Sequence, residues 1–441
     1  MKESFFDRNK ELIKSTLELN DEAINTLSFE VTRRTGLPLL LKYPVLFHGI
    51  LSILTNILYP LLGIKKKSHI QKDKDFIFIS CPDPVFRTKT IGLIAGSLKY
   101  SVIYLPNFHV ISALRYHKYF KKESIDACFP TITVSDLYNA KRREKKLYSA
   151  LKGETLEVAD RIALGLILNF LIYDSIAKRI LSSAKGFNGK WILEHDKFYF
   201  TPTVVNLHQA NKICTMLQHG CFVEIDVDFM PLYCDKVLCC SERERNTYIS
   251  YGIKPENVLA FGAPLQAIRT DEKINTYGRK KYNLLMLLTM VNNESIVQMK
   301  AVLEFVKNHY DGVLIRMRPR SKKNDMKLLQ KELEGFEISN NRYSLTEDIS
   351  VCKKVISFSE DANFEVAKLN KPFIYVHSWV GQNRELRHDL PYATEDNYKE
   401  EIQKLMTQDF YSTFSKEQYK EVLGETDVNV LRQKFEDYIR S

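Results

Sequence analysis

Ile213-Cys214-Thr215-Met216-Leu217-Gln218-His219-Gly220 is the stretch on which the reading of this chain turns. Ile213 to Leu217 is an apolar run broken only by Thr215, which predicts a short buried strand. The run breaks at Gln218-His219-Gly220, and Gly220 supplies the positive φ or close backbone approach that leaving a sheet requires. In an open α/β sheet, ligands sit beyond the carboxyl ends of the strands. Gln218 and His219 are therefore expected where chemistry takes place. The competing reading is a strand-ending turn whose histidine satisfies a buried partner, and an isolated His-Gly favours that reading because short motifs recur by chance. The flanking sequence has to decide.

Outward from this stretch the chain alternates strand and helix. Upstream, Phe76–Ser80, Ser101–Pro106 and Trp191–His195 read as strands, with helices near 88–98, 155–184 and 203–212. The first strand runs into Cys81-Pro82-Asp83-Pro84, a turn cluster at a carboxyl end. Downstream, Lys236–Cys240, Val258–Phe261, Asn283–Met290, Val313–Met317, Lys354–Phe358 and Phe373–His377 are strands, with helices near 293–308, 325–333 and 361–369. Ser241 and Glu244 have the spacing of a capping box. Thr426-Asp427 opens a last helix with Val428, Leu431, Phe435 and Ile439 on one face, expected to pack back on the N-terminal half. Such alternation implies parallel, doubly wound sheets, here two Rossmann-like domains facing across a cleft.

Length and composition agree. A chain of 441 residues, 44% hydrophobic and 27% charged, is globular and large enough for two cores. A net charge of +10 points to anionic partners, without choosing among nucleotide phosphates, acidic glycans, anionic lipid and nucleic acid. The N-terminus lacks a secretory signal pattern, so a cytoplasmic location is expected. None of the eight cysteines has the C-x2-C spacing of a zinc site; all are expected to be reduced and structural. No Asp-x-Asp stands in a convincing strand context, and no metal or cofactor is expected.

The expected domains are an N-terminal helical segment 1–70, a first Rossmann-like domain 71–222, a second 234–412 and a C-terminal helix 413–441. Within the first segment, Val45 to Ile64, closed by Lys65-Lys66-Lys67, approaches the ~20 apolar residues of a membrane span but is interrupted by His48, Asn56 and Pro60. A buried core helix, a helix held at an anionic membrane surface by the flanking lysines and a true span compete for it. Residues 114–147 interleave Lys and Arg with Tyr116, Tyr119 and Tyr138, which suits an anionic acceptor or lipid headgroups, or is an exposed charged helix.

Taken in order, Trp191-Ile-Leu-Glu194, a helix, Ile213 to Gly220, Lys236-Val-Leu-Cys-Cys-Ser241 and Phe261-Gly262-Ala-Pro264 resemble the bacterial glycosyltransferases of capsule and surface-polysaccharide assembly, polysialyltransferase-like, Kdo-transferase-like and polyglycerol-phosphate-transferase-like. The resemblance covers roughly residues 190–380 and rests on the order of weak motifs. It implies the GT-B architecture, with the active site between the two domains. It further implies a nucleotide-sugar donor, a glycan or glycolipid acceptor and a metal-independent reaction. Where the family has Arg-x-His-Pro, this chain has Arg316-Met317-Arg318-Pro319. Arginine cannot act as an acid, but it can grip a phosphate through two parallel donors. The family's Ser-rich turn is Ser357-Phe358-Ser359, opening a helix that carries Glu365, with Lys371-Pro372 after it; Glu360 and Asp361 depart from the pattern.

The resemblance implies that Gln218, Gly220, Gly262, Arg316, Arg318, Ser357, Ser359 and Glu365 bind the donor and that His219 stabilises its phosphate. Asp83 and Glu194, with Asp196 beside it, are the candidate bases for the acceptor hydroxyl. Transfer of a polyol phosphate from a CDP-linked donor and non-catalytic nucleotide or sugar binding are the alternatives. Nucleic acid is not an expected partner, because no recognised module accompanies the basic residues.

Overall fold

The computed structural model describes residues 9–25, 73–80, 85–105, 126–128, 130–151, 158–194, 197, 199–218, 232–264, 274–289, 295–318, 327–339, 343–376, 392–407, 421 and 424–441. Two parallel sheets form its frame. The first contains β1 (Phe76–Ser80), β2 (Tyr100–Tyr104), β3 (Asp126–Cys128), β4 (Lys190–Leu193), β5 (Cys214–Leu217), β6 (Lys236–Cys239) and β7 (Val258–Ala260), in the order β3-β2-β1-β4-β5-β6-β7. The second contains β8 (Tyr282–Leu287), β9 (Val313–Arg316), β10 (Glu337–Ile338), β11 (Cys352–Ser357), β12 (Phe373–Val376) and β13 (Tyr392–Ala393), in the order β10-β9-β8-β11-β12-β13. Each order reverses once, between β1 and β4 and between β8 and β11. These are the two topological switch points.

The helices among the described residues are α1 (Lys10–Leu17), α2 (Val85–Ala95), α3 (Val134–Ala150), α4 (Val158–Ser183), α5 (Thr201–Gln209), α6 (Glu242–Ser250), α7 (Ser295–His309), α8 (Gln330–Leu333), α9 (Leu345–Ser350), α10 (Glu360–Lys368), α11 (Tyr398–Thr407) and α12 (Val428–Arg440). Burial on both sheet faces explains why the strands read as apolar runs. In β8 and just beyond it, Leu285 and Leu287 enter one core cluster, while Leu284, Met286 and Leu288 enter the other. The long α4 is buried through Leu164, Ile167, Leu168, Leu171 and Ile172. No helix among the described residues is long and apolar enough to cross a membrane; the 45–64 segment lies outside the described residues.

The passage between sheets corrects the boundary expected near 222–233. β6 pairs with β5 and β7 with β6, and the Gln218 amide donates to the Leu238 carbonyl at 3.0 Å. The stretch between Gln218 and Lys236 thus connects two neighbours of one sheet, and the chain changes sheet between Ala260 and Tyr282. A break between strands marks a crossover as readily as a domain boundary, so local sequence could not separate the two. Cys240 and Ala263, at the ends of β6 and β7, pack into a core cluster of the second sheet.

The last helix returns to the first sheet, as its apolar face predicts. Asp427 caps α12 by accepting from the amides of Asn429 and Val430, and Leu431, Phe435 and Ile439 are buried. The Phe435 ring meets Phe76 edge-on at 5.2 Å and Phe261 at 5.9 Å. Arg432 Nε donates to the Leu93 carbonyl at 2.7 Å. The incoming strap needs two glycines. Gly262 has φ +131, and a Cβ there would lie 2.5 Å from the Glu425 carbonyl oxygen and from Leu431. Gly424 has φ +65, and its Cβ would lie 2.1 Å from the Cys240 carbonyl oxygen. Gly262, expected at the donor, is therefore used by the structure to admit this crossing.

The second sheet is tied on one side by a buried charge. Asp348 on α9 is fully buried. Its carboxylate accepts from Arg279 Nη2 at 2.6 Å, from Ser339 Oγ at 2.7 Å and from Arg316 Nη1. Arg316 also donates to the Tyr343 and Ser344 carbonyls, and Arg279 stacks on the Tyr343 ring at 3.8 Å. A buried carboxylate is tolerated only when paired in this way.

Gly262→Ala should destabilise the protein by roughly 2–4 kcal/mol, combining left-handed backbone strain with overpacking. Urea unfolding followed by circular dichroism reads this; a loss below about 0.5 kcal/mol would mean the crossing yields freely. Asp348→Ala leaves two buried guanidinium groups facing each other and should cost about 3–5 kcal/mol. Unchanged stability in that variant would contradict the pairing.

Candidate functional site

At the first switch point the end of β1 meets the end of β4. Ile79 stands beside Leu193 in register, and the Glu194 amide donates to the Ile79 carbonyl at 3.0 Å. Ser80 Oγ donates to Glu194 Oε2, and both residues are buried. Glu194, a candidate base from sequence, is thus a carboxylate held at the crevice by a serine. Sequence reasoning missed Ser80 as its partner, although a lone hydroxyl closing the run Phe-Ile-Phe-Ile at a carboxyl end was a readable signal. Asp83 and Asp196 lie outside the described residues.

The stretch that opened the reading divides into two roles. Gln218 is buried and its side-chain amide is held on both sides. Nε2 donates to Glu244 Oε2 at 2.9 Å, and Oε1 accepts from Tyr248 Oη at 3.3 Å. Glu244 also accepts from the Cys240 amide at 2.8 Å, while its own amide donates to Ser241 Oγ at 3.3 Å. The expected capping box is therefore half-formed: the serine caps α6, and the glutamate turns to Cys240 and Gln218. Gln218, expected to touch the donor, instead anchors the end of β5 to the first turn of α6. His219 and Gly220 follow directly from this anchor and lie outside the described residues.

At the second switch point three strand ends align. Leu287 is in register with Arg316 on one side and Ser357 on the other. The two arginines expected to share a phosphate part company. Arg316 is consumed by Asp348, because it ends β9 facing α9, so it is not available as the expected anion grip. Arg318 is exposed and has no hydrogen-bond or ion-pair partner among the described residues. β9 ends at Arg316, and Met317 beyond it is buried.

The turn into α10 carries the remaining candidates. Ser357 is buried and its hydroxyl is occupied within the turn: Oγ donates to the Ser359 carbonyl at 2.9 Å and accepts from the Ser359 amide at 3.1 Å. Ser357 therefore shapes the turn. Ser359 occupies the N-cap position of α10 without a side-chain cap hydrogen bond. Backbone donors at such a helix start attract anions. Glu365, on the same helix, is buried.

Between them sits a residue the sequence reading did not assign. Asn363 is 1% exposed, yet neither its Oδ1 nor its Nδ2 has a hydrogen-bond partner among the described residues. An unsatisfied buried polar group costs about 1–3 kcal/mol, so such a group in a native fold calls for an explanation. The sequence signal was weak: one asparagine between Ala362 and Phe364 on the buried face of a short helix.

No family model matches the chain, and no curated protein matches it in sequence. Its structure is similar to that of UDP-GlcNAc 2-epimerase from Methanocaldococcus jannaschii in complex with UDP-GlcNAc and UDP, at a TM-score of 0.52 and 10% identity, covering 83% of this chain and 99% of that one. The S. aureus MnaA–UDP structure matches at a TM-score of 0.52 and 11% identity, covering 83% and 95%. UDP-N-acetylglucosamine 2-epimerase from Rickettsia bellii matches at 0.52 and 11%, covering 83% and 96%. At such identities the likeness is one of fold, and with the two switch-point sheets it establishes the GT-B fold: an α/β chain of two Rossmann-like doubly wound domains.

Proposed function

We propose that this chain is an enzyme acting on a nucleotide-linked sugar, and that it transfers the sugar to a glycan or glycolipid acceptor. The observation that carries the donor assignment is Asn363, a buried amide with no hydrogen-bond partner, on the helix that leaves the second switch point. Arg318 beyond β9 and the N-terminus of α10 belong to loops at the same carboxyl edge. Together they offer a guanidinium fork, backbone donors and an amide to a phosphate and its nucleoside. Glu365 is the carboxylate proposed for the ribose hydroxyls. Two of the similar structures are described as complexes, one with UDP and one with UDP-GlcNAc and UDP, which agrees with a nucleotide-sugar donor.

Transfer needs two things: stabilisation of the departing nucleotide and removal of the acceptor proton. Arg318, the α10 N-terminus and His219 are proposed for the first. Glu194, with Asp83 as the other candidate, is proposed for the second. Ser80 holds the Glu194 carboxylate in place, so proton transfer there begins from an oriented group. The acceptor is proposed to be a surface glycan such as capsule. The Val45–Ile64 segment and Lys65–Lys67 are proposed to bring the enzyme to the inner face of an anionic membrane, which sedimentation with anionic liposomes at low and high salt would test. A second reading, epimerisation of the nucleotide sugar, is favoured by the epimerases among the fold neighbours.

Incubation with UDP-, GDP-, CMP- and CDP-linked donors separates these readings. Transfer or slow hydrolysis releases nucleotide, whereas epimerisation changes the sugar without net release. Glu194→Gln should lower turnover by about 10²-fold or more while keeping nucleotide affinity, as loss of a general base does; an active Glu194→Gln enzyme would move the base elsewhere. Arg318→Ala should weaken nucleotide binding more than Arg318→Lys, since lysine keeps the charge and loses the fork. Asn363→Leu should raise the stability of the free protein by about 1–2 kcal/mol while weakening nucleotide binding. Calorimetry and urea unfolding read the two effects separately, and a variant with full nucleotide affinity would place the donor site elsewhere.

A further inference from the structure

The amino-terminal edge of the first sheet, opposite the switch point, gathers a second group of chemically capable side chains. His208 lies in the last turn of α5, Cys214 begins β5, and Cys234 and Asp235 stand just before β6. Because β5 and β6 are parallel neighbours, their first residues and the preceding helix end meet at one place. His208 Nε2 is 3.1 Å from Asp235 Oδ2 and 3.6 Å from Cys214 Sγ. The three donor atoms all lie within 4.8 Å of one another. The Cys234 thiol is in hydrogen-bonding contact with Cys214.

These distances are compatible with three ligands of one tetrahedral ion. A tetrahedral zinc with bonds of about 2.0 Å to nitrogen and 2.3 Å to sulfur sets those ligand atoms roughly 3.5 Å apart. The other imidazole nitrogen, Nδ1, is engaged by Glu22. That is the carboxylate–histidine arrangement which fixes the ring of a metal-binding histidine and directs its second nitrogen at the metal. Cys214 is fully buried, while the His208 and Asp235 side chains are 24% and 38% exposed. An ion therefore has an inner wall of sulfur and an entry from solvent.

We propose that His208, Cys214 and Asp235 bind one divalent zinc ion that ties the amino-terminal edge of the first sheet. The location argues for a structural ion, because the strand ends at which substrates bind are at the other edge. The ion would join elements remote in sequence: Glu22, which engages His208, and the β5 and β6 entries.

The test uses the full chain purified without chelator. Metal analysis should find about one equivalent of zinc per chain after dialysis, and stripping it should lower the melting temperature, because metal bound only by the folded state stabilises it. Cobalt(II) replacing zinc should give tetrahedral visible bands and a thiolate-to-cobalt charge-transfer band. Cys214→Ser should abolish the charge-transfer band from this thiolate and weaken zinc binding at least about 100-fold. If that variant does not fold, the cobalt spectrum of the wild-type chain decides alone. A wild-type chain taking up less than about a tenth of an equivalent from excess zinc, a cobalt spectrum without thiolate character, or a Cys214–Cys234 disulfide in its peptide map would overturn the proposal.

Discussion

Parallel pairing is the constraint from which the rest of this molecule follows. Every strand pair among the described residues runs parallel. A parallel pair cannot be closed by a tight turn, so each connection must cross the sheet and return. All carboxyl ends of a sheet therefore lie on one edge and all amino ends on the other. Ser80 and Glu194 meet because β1 and β4 end together, and Leu287 is flanked by Arg316 and Ser357 for the same reason. At the opposite edge the rule assembles His208, Cys214 and Asp235 from a helix end and two strand starts. Each edge can thus be specialised independently of the other.

The strands and helices were legible because buried parallel strands are written as short apolar runs. Phe76–Ser80, Cys214–Leu217 and Phe373–Val376 stand almost where the sequence places them. Elements with little apolar content escaped notice, among them the three half-buried residues of β3 and the exposed pair forming β10. The domain boundary was misread because local composition cannot tell which sheet a strand will join. Pairing is a long-range choice, and nothing between Gly220 and Cys234 records that β6 continues beside β5.

Within the candidate site, legibility followed the partners rather than the residue types. Arg316 and Arg318 look alike in sequence, but one is spent on Asp348, which lies 32 positions later, and the other remains exposed. Gln218 looked like a ligand residue and is instead held by Glu244 and Tyr248. Conversely, Asn363 looked incidental, and its interest lies in what it lacks. Which polar groups the fold consumes and which it leaves over depends on contacts between distant segments, and this is where a linear reading ends. The same reasoning hides the His208 cluster, whose spacing along the chain matches no zinc pattern.

The returning α12 has a consequence for how the protein comes into being. The first sheet is begun by Phe76, but the ring that packs edge-on against it belongs to Phe435, and Phe261 waits for the same partner. As the chain leaves the ribosome, its first domain is exposed with that face uncovered until α12 has emerged. Between those moments the whole second sheet is made and is free to fold from its own contiguous sequence. Completion of the earlier domain therefore waits on the synthesis of α12, and a chain interrupted before Asp427 would leave the amino-terminal half, not the second sheet, unfinished.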